Sequence, residues 1–347
     1  MDTHCQNRAM TPPLRFPRPL RPGDRIGVTA PSAGVAGAAV ARIEFCVDWL
    51  RSRGYDVVVG ECLVGDGLTS APAEQRAAEL TRMLADPDIA CVLPPWGGET
   101  AIDLVDLLDW DALADAEPTW LVGYSDLSTV LVPITTRLGW ATLHGDNLAD
   151  TPYAVPDGLL HWLDVAGGPG PFVQRDSAQV ATWVRFEEDP HATGWRHVGE
   201  GRWEVEGGGD LDVTGRLIGG CVETIGHLAG TPYGDVRSWA EELDEPTIVY
   251  VEACEDHAVD ICRFLHGMRL AGWFDRAAAV LVGRTNAPDH PDLTQREGVL
   301  DALGRLGLPI VWDLEIGHVP PHLPLVNGAL ARVVVDGDDR RITQTLG

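Results

Sequence analysis

The sequence predicts an α/β protein built from two domains. Short apolar runs alternate with helical stretches along the first half of the chain, a pattern typical of βαβ units and of a parallel sheet covered on both faces. The chain has 347 residues, a length that suits two domains or one large one. Its composition changes near residue 165, where the glycine- and proline-rich stretch VAGGPGPF begins.

Five strands are predicted in the first half, and a helix follows each of the first four. In chain order the pairs are DRIGVTA with AVARIEFCVDWLRSRG, YDVVVG with APAEQRAAELTRMLAD, IACVL with TAIDLVDLLDW, TWLVGY with DLSTVLVPITTRLG, and then ATLHG alone. In parallel sheets of this kind, ligands bind at the carboxyl ends of the strands, where the strand order reverses. Ser125 follows the end of TWLVGY and therefore lies at such a position.

The second half opens with a stretch rich in glycine and tryptophan that predicts hairpin-like pieces. Strands are predicted at TIVYVEA, AAAVLVG and PIVWDLEIG, and ARVVVDGDDRRITQT predicts a closing hairpin around Asp-Gly. We therefore divide the chain into a flexible N-terminal extension, a first α/β domain, a linker and a C-terminal domain, with bounds 1–20, 21–165, 166–180 and 181–347.

The composition excludes several classes of partner. With 26 basic and 52 acidic residues the net charge is −26, so the surface repels nucleic acid and anionic membranes. No apolar run has the roughly 18 residues that a membrane span needs, and the N-terminus has no apolar core of a secretory signal. The seven cysteines are scattered without a C-x-x-C pair, which favours reduced thiols and a cytoplasmic protein.

The absence of lysine narrows the chemistry further. All 26 basic residues are arginine. Walker P-loops, Schiff-base enzymes, PLP enzymes and Ser-Lys dyads all use a lysine amine, and we exclude these four classes. An activated serine in this chain must therefore take its base from histidine.

Ser125 is the candidate nucleophile. A serine between a buried strand and a helix has the position of a nucleophile elbow, where a sharp turn exposes the hydroxyl and the helix N-terminus faces an oxyanion. The stretch GYSD does not match the general G-x-S-x-G pattern. The alternative interpretation is that Ser125 only caps the helix, with Asp126 in its first turn.

Three other strand ends carry suitable partners. Gly97 and Gly98 follow IACVL, where glycines let backbone amides approach a reacting carbonyl. His318 follows the third predicted strand of the second half and is released into a proline-rich loop, which suits a general base. Glu252 ends TIVYVE, where a buried acid is unfavourable unless it is paired.

Six stretches together resemble the LD-carboxypeptidase family of serine peptidases. They occur in that family's order and are LRPGDRIGVTAPSAG, PPWGGETAIDLVDLLDWDAL, LVGYSDLSTVL, GRLIGGCVETIGHLAGTPY, TIVYVEA and EIGHVPPHLPLVNGALARV. The length and the tryptophan-bearing insert before GRLIGG are more similar to the microcin C immunity (MccF-like) branch than to the shorter murein enzymes.

The resemblance implies a Rossmann-like N-terminal domain, a β-rich α/β C-terminal domain, an active site between them and a homodimer. It places the nucleophile at Ser125, the glutamate at Glu252 and the histidine at His318. It places the oxyanion hole at the backbone amides of Gly98 and Asp126. It implies no metal and no organic cofactor.

Five positions raise separate hypotheses. Cys221, Asp146 and Glu99 stand where the family often has other residues. Glu99 either binds a substrate ammonium group or is a solvated glutamate at a helix N-terminus. Trp195 and Trp203 lie in the insert, and either stack on a nucleotide or close a small β core. The prolines inside HVPPH prevent a helix there, so a zinc pair of histidines is poorly supported.

The sequence leaves three functions open, of which two are hydrolase activities and one is binding without catalysis. The first is hydrolysis of an aminoacyl-nucleotide of the microcin C type, and the second is cleavage of the L,D-peptide bond of murein tetrapeptide. The third is a binding protein that kept a peptidase fold without turnover. A Rossmann dehydrogenase is poorly supported, because VTAPSAG after the first strand does not match G-x-G-x-x-G.

Overall fold

Sixteen strands and nine α-helices form the part of the chain that the computed structural model describes, residues 12–347. The strands are β1 (Arg25–Val28), β2 (Asp56–Val59), β3 (Ile89–Val92), β4 (Trp120–Gly123), β5 (Thr142–His144), β6 (Phe172–Arg175), β7 (Gln179–Thr182), β8 (Arg196–Glu200), β9 (Glu204–Val205), β10 (Leu211–Cys221), β11 (Thr247–Glu252), β12 (Ala277–Gly283), β13 (Ile310–Leu314), β14 (Leu325–Asn327), β15 (Leu330–Asp336) and β16 (Asp339–Thr345). The α-helices are α1 (Ala39–Ser52), α2 (Ala73–Ala85), α3 (Trp110–Asp115), α4 (Ser128–Leu138), α5 (Trp162–Gly167), α6 (Val222–Ile225), α7 (Val236–Glu241), α8 (Ala258–Leu270) and α9 (Gln295–Leu303). No helix within these residues has both the length and the apolar character to cross a membrane.

The first sheet has six strands in the order β2-β1-β3-β4-β5-β14. Its first five strands run parallel, and β14 is antiparallel to β5. The order 2-1-3-4-5 is that of doubly wound α/β folds, in which the carboxyl ends of the strands form the ligand-binding edge. The predicted α/β class is confirmed, and each of the five strands predicted in the first half overlaps one of β1 to β5.

The second sheet has eight strands in the order β6-β16-β15-β10-β11-β12-β13-β9. Strands β10 to β13 run parallel, whereas the pairings on both flanks are antiparallel. Helices α8 and α9 pack on the parallel part through one buried apolar cluster with β11 and β12. The parallel strands therefore create a second ligand-binding edge in the C-terminal half.

The two sheets exchange chain segments. Strand β14 comes from late in the chain, yet it joins the first sheet by pairing with β5, with Leu325 opposite His144. Asn327 then connects both sheets, because its amide donates to Thr142 Oγ1 at 3.1 Å and accepts from Tyr250 Oη at 2.8 Å. These bonds connect the start of β5 in the first sheet with the middle of β11 in the second.

The proposed domain bounds stay a prediction. The structure describes the predicted linker and part of the predicted N-terminal extension. Strand β6 lies inside the predicted linker 166–180 and pairs with β16. Residues 1–11 of the predicted extension lie outside the described residues. Within its remainder, Arg15 N donates to Gly139 O at 2.7 Å, and Leu20 N donates to Ala166 O at 2.9 Å.

Candidate active site

Ser125 occupies a strained turn between β4 and α4. Its φ of 65° is in the left-handed region, which non-glycine residues enter at a cost of about 1–3 kcal/mol. It begins a short 3-10 helix, Ser125–Leu127, that continues into α4. This conformation turns the side chain away from the path of the strand, which is the geometry of a nucleophile elbow.

The loop at Gly97 and Gly98 packs directly against this turn. A Cβ atom at Gly97 would lie 2.9 Å from both Ser125 Oγ and the Asp126 nitrogen, so only glycine fits there. Gly98 has a φ of 141°, and a Cβ there would lie 2.8 Å from the backbone nitrogen of Ala33. The close approach brings the backbone of this loop beside the Ser125 hydroxyl. Among residues 12–347, neither the backbone N–H of Gly98 nor that of Asp126 donates a hydrogen bond to the backbone of a turn, loop or helix cap.

The side chain of Asp126 holds the two loops in place. Its buried carboxylate accepts from Ser32 Oγ at 2.6 Å, from Ala101 N at 2.8 Å and from Thr129 Oγ1 at 3.4 Å. Burial raises the pKa of Asp126, although these hydrogen bonds oppose the effect. The role of this carboxylate has no signature in the sequence, because a contact between residues 94 positions apart leaves no local pattern.

Glu252 and His318 form a partly buried, hydrogen-bonded pair at the carboxyl ends of the parallel strands of the second sheet. Nδ1 of His318 lies 2.8 Å from Oε2 of Glu252, and their side chains are 16% and 0% exposed. Gly317 leaves room for the glutamate, since a Cβ there would overlap the Glu252 side chain. Gly283 does so from the neighbouring strand, where a Cβ would lie 2.9 Å from Cβ of Glu252.

The pair shifts both titrations toward the charged forms. Burial raises the pKa of Glu252, but the charge and hydrogen bond of His318 outweigh burial and leave that pKa below its usual value. Burial lowers the pKa of His318, but the charge of Glu252, with Cys254 nearby, raises it well above its usual value. The carboxylate therefore stabilises the imidazolium and orients the ring.

Ser125 and His318 line the same cavity of about 460 Å³, together with Gly97 and Gly98. Glu252 lies behind His318 and does not line this cavity. The ring of Tyr124, the residue before the serine, lies 5.1 Å from the His318 ring between centroids. The structure thus brings the three positions of the proposed triad to one place, although they are separated by 127 and 66 residues in the chain.

A larger cavity of about 910 Å³ lies at the carboxyl ends of β11, β12 and β13. It is lined by Glu252 and by five arginines, but neither Ser125 nor His318 lines it. Because it contains neither a candidate nucleophile nor the base, we assign the active site to the smaller cavity.

A second polar cluster lies behind the His318 ring and was missed by the sequence analysis. Tyr124 Oη donates to Asp150 at 3.0 Å, and Nδ1 of His322 is bonded to Asp146. Burial raises the pKa of Asp150 to about 6 and lowers that of His144 to about 4. His322 is the second histidine of HVPPH, and Asp146 is one of the positions at which this sequence departs from the family pattern.

The three predicted substrate-binding residues differ in their surroundings. Glu99 is exposed and lines the cavity that contains Ser125. Trp195 does not line it, but its ring stacks on Tyr153 at 4.0 Å and meets His322 edge-on at 5.9 Å. Trp203 is fully buried, and its Nε1 donates to Glu315 at 2.6 Å. The burial of Trp203 favours the interpretation that it closes a β core.

Two groups of side chains within residues 12–347 have the atoms and spacing to hold a metal ion. One group is Cys221, Glu252 and His318, and the other is Cys262, His266 and Asp301. In each group the possible ligand atoms lie within 4.8 Å of one another. The first group overlaps the Glu252–His318 pair, so a metal there would compete with the hydrogen bond that orients the histidine.

Similar proteins of known sequence cover almost the whole chain. A putative carboxypeptidase of Streptomyces coelicolor is 29% identical, covering 92% of this chain and 93% of that protein. The microcin C7 self-immunity protein MccF of Escherichia coli is 25% identical and covers 94% of both chains. A murein tetrapeptide carboxypeptidase of Pseudomonas aeruginosa is 27% identical, covering 64% of this chain and 67% of that protein.

Solved structures show the same fold. MccF in complex with glutamyl sulfamoyl guanosine has a TM-score of 0.80 at 22% identity and covers 97% of this chain and 99% of that chain. MccF in complex with aspartyl sulfamoyl adenosine has a TM-score of 0.79 at 22% identity, covering 96% and 99%. An MccF-like protein from Streptococcus pneumoniae in complex with AMP has a TM-score of 0.75 at 20% identity, covering 92% and 98%.

Two family models, one for each domain of the same enzyme family, match this chain. The model of the LD-carboxypeptidase N-terminal domain matches residues 26–145, and the model of the C-terminal domain matches residues 214–333. The first range includes Ser125, and the second includes Glu252 and His318. The protein is therefore a member of the LD-carboxypeptidase family.

Proposed function

We propose that this protein is a serine hydrolase that cleaves an amide bond in a small peptide or an aminoacyl-nucleotide. The observation that carries the proposal is that Ser125 and His318 face one cavity, with Glu252 bonded to the far side of the His318 ring. Membership of a carboxypeptidase family supports hydrolysis of an amide. The catalytic triad is Ser125, His318 and Glu252.

The proposed reaction has two halves. In the first half, Ser125 Oγ attacks the carbonyl carbon while Nε2 of neutral His318 takes the hydroxyl proton, and the amides of Gly98 and Asp126 donate to the oxyanion. The tetrahedral intermediate then collapses, His318 protonates the leaving nitrogen, and an acyl ester forms on Ser125. In the second half, water loses a proton to His318 and attacks the ester, which releases the acid and restores the serine hydroxyl.

The preferred substrate is an aminoacyl-nucleotide, such as a processed microcin C-like compound, so that hydrolysis is a detoxification. MccF proteins of the same fold have been solved with aminoacyl sulfamoyl nucleosides and with AMP, which supports a substrate of this type. In this proposal Trp195 stacks on the base, where such contacts contribute about 1–3 kcal/mol. Glu99 binds the α-ammonium group of the aminoacyl part, a role that its position on the cavity wall supports.

Cleavage of murein tetrapeptide is the alternative, and the similarity to a murein tetrapeptide carboxypeptidase favours it. The alternative of another class is a binding protein without turnover on the same fold. We also propose that the protein works in the cytoplasm, because the six cysteines among the described residues are free thiols. A homodimer is proposed from the family resemblance alone.

One experiment separates these functions. Purified protein is incubated with an aminoacyl adenosine phosphoramidate and, separately, with a murein tetrapeptide, and mass spectrometry identifies the products. We expect release of the amino acid from the first compound, and we expect Ser125→Ala to lower kcat by about 10⁴-fold or more while ligand binding remains measurable. A fluorophosphonate probe should label Ser125. If the wild-type protein cleaves neither compound and the probe labels nothing, the binding-protein alternative gains support.

A further inference from the structure

Several carboxylates line the active-site cavity. Glu99, Glu223, Glu255 and Asp256 line it beside Ser125 and His318. Within residues 12–347, no arginine lines this cavity, and the chain has no lysine. The larger cavity, by contrast, has five arginines among its lining residues. The cavity that contains the nucleophile therefore has an excess of negative charge.

Glu223 positions two of the other carboxylates, those of Glu255 and Asp256. Oε1 of Glu223 accepts hydrogen bonds from three consecutive backbone amides, those of Cys254 at 3.0 Å, Glu255 at 2.8 Å and Asp256 at 2.8 Å. The three amides partly neutralise Glu223 and fold the segment after β11 into a turn. This turn brings Glu255 and Asp256 to the cavity wall.

The other three carboxylates have no partner among the residues that the structure describes. In residues 12–347, the side chains of Glu99, Glu255 and Asp256 form no hydrogen bond and no ion pair, although the chain contains 26 arginines that pair with many other acids. Burial raises the pKa of Glu99, and the charges of Glu255, Asp126, Glu223 and Asp256 raise it further. The group thus repels added negative charge and is stabilised by a cation.

We infer that the active site selects acyl groups whose side chain is cationic, such as arginyl or lysyl groups, and rejects acyl groups that carry a carboxylate. The inference rests on the proposed function, because it concerns the acyl part of the amide that Ser125 would attack. Like charges brought close together repel and opposite charges attract, and both effects are stronger in a partly solvated cavity than in bulk water. The preference is opposite to the acidic aminoacyl groups, glutamyl and aspartyl, bound in the MccF structures of the same fold.

The experiment compares arginyl, leucyl and glutamyl sulfamoyl adenosines, which differ only in the amino-acid side chain. Their dissociation constants are measured by calorimetry with Ser125→Ala, and the kcat/KM values of the matching aminoacyl phosphoramidates are measured with the wild-type protein. We expect the arginyl compound to bind about 100-fold more tightly than the glutamyl compound at low salt, with the leucyl compound between them.

The variant Glu255→Gln/Asp256→Asn tests which residues carry the preference. It should reduce the arginyl-to-glutamyl ratio by about tenfold. Asp210→Asn is the matched control. Asp210 is exposed and directly precedes β10, whereas Cys221 at the other end of β10 lines the cavity. The length of β10 places Asp210 roughly 35 Å from the cavity. The control should leave the ratio unchanged.

The inference is overturned if the glutamyl compound binds as tightly as the arginyl compound, if no compound binds, or if the double variant keeps the wild-type ratio. A charge preference in binding to Ser125→Ala supports it even when the wild-type protein hydrolyses none of the compounds. Absence of hydrolysis by the wild-type protein would instead contradict the proposed function, so the failure of the inference and the failure of the proposed function are distinguishable.

Discussion

The two halves of the active site are built in different ways. The nucleophile side consists of Ser125, the loop at Gly97 and Gly98, and Asp126. It is held by close contact between backbone segments and by hydrogen bonds to the Asp126 carboxylate. The base side consists of Glu252 and His318 and is held by one partly buried hydrogen bond between a carboxylate and an imidazole. An added methyl group should therefore disrupt the nucleophile side, whereas loss or titration of one charge should disrupt the base side.

Removal of the charge on the base side should have the largest effect. Glu252→Gln keeps the shape of the side chain but leaves the His318 ring without its anionic partner and allows the wrong tautomer. We expect kcat to fall by about 10⁴-fold with little change in KM. Steady-state kinetics on the substrate identified in the hydrolysis experiment measures the change. A loss of less than tenfold would show that Glu252 does not orient the base.

Addition of one methyl group on the nucleophile side should have the next largest effect. In Gly97→Ala the new Cβ would lie 2.9 Å from Ser125 Oγ and from the Asp126 nitrogen, so both must move. We expect kcat to fall by about 10²–10³-fold, the range for loss of an oxyanion donor. Gly267→Ala is the control, because a Cβ at that helical glycine meets nothing within 4 Å. If the two variants have equal activity, the close packing at Gly97 is not needed.

The pH dependence of the rate should also distinguish the two sides. His318 accepts a proton only when it is neutral, and Glu252 raises the pKa of the ring above its usual 6.5. The rate constant kcat/KM should therefore rise with pH and reach half its maximum above pH 6.5. Gly97→Ala should keep the wild-type midpoint, since it leaves the charge pair intact. A wild-type midpoint below 6.5 would mean that burial outweighs the charge of Glu252.

The smallest effect on the rate is expected from the polar cluster behind His318. Asp146→Asn removes the charge that pairs with His322. Burial lowers the pKa of His322, but the charge and hydrogen bond of Asp146 outweigh burial and raise that pKa above its usual value. Because the folded-state pKa is raised, the pair's stability is fully present below about pH 6.5 and is lost as pH rises through the folded-state value. We expect a loss of about 2–4 kcal/mol in the free energy of unfolding at pH 6, a smaller loss at pH 9, and less than a tenfold change in kcat.

Urea denaturation at the two pH values measures that change. Asp106→Asn serves as the control, because Asp106 is exposed and forms no hydrogen bond or ion pair in residues 12–347. If Asp146→Asn lost the same free energy at pH 6 and pH 9, the Asp146–His322 pair would not be the source of the stability.

Local features of the sequence predicted the first half of the fold well. The alternation of apolar runs and helices identified β1 to β5, and the junction of strand and helix identified Ser125. Glu252 and His318 were selected at strand ends, but only the family resemblance joined them to Ser125. The roles of the Asp126 carboxylate and of the Asp146–His322 bond could not be predicted, because they connect residues 94 and 176 positions apart. Trp195 and Trp203 look alike in sequence, and only their burial separates them.

Local sequence patterns specify strands β1 to β5 and β11 to β13, and they place Ser125, Glu252 and His318 near the ends of such strands, since periodicity and turn residues act over a few positions. Long-range packing determined which of those strand ends meet. It paired β14 with β5, bonded His318 to Glu252, and turned Glu255 and Asp256 toward the serine. Those outcomes depend on packing between segments that lie far apart in the chain, and no local pattern carries that information.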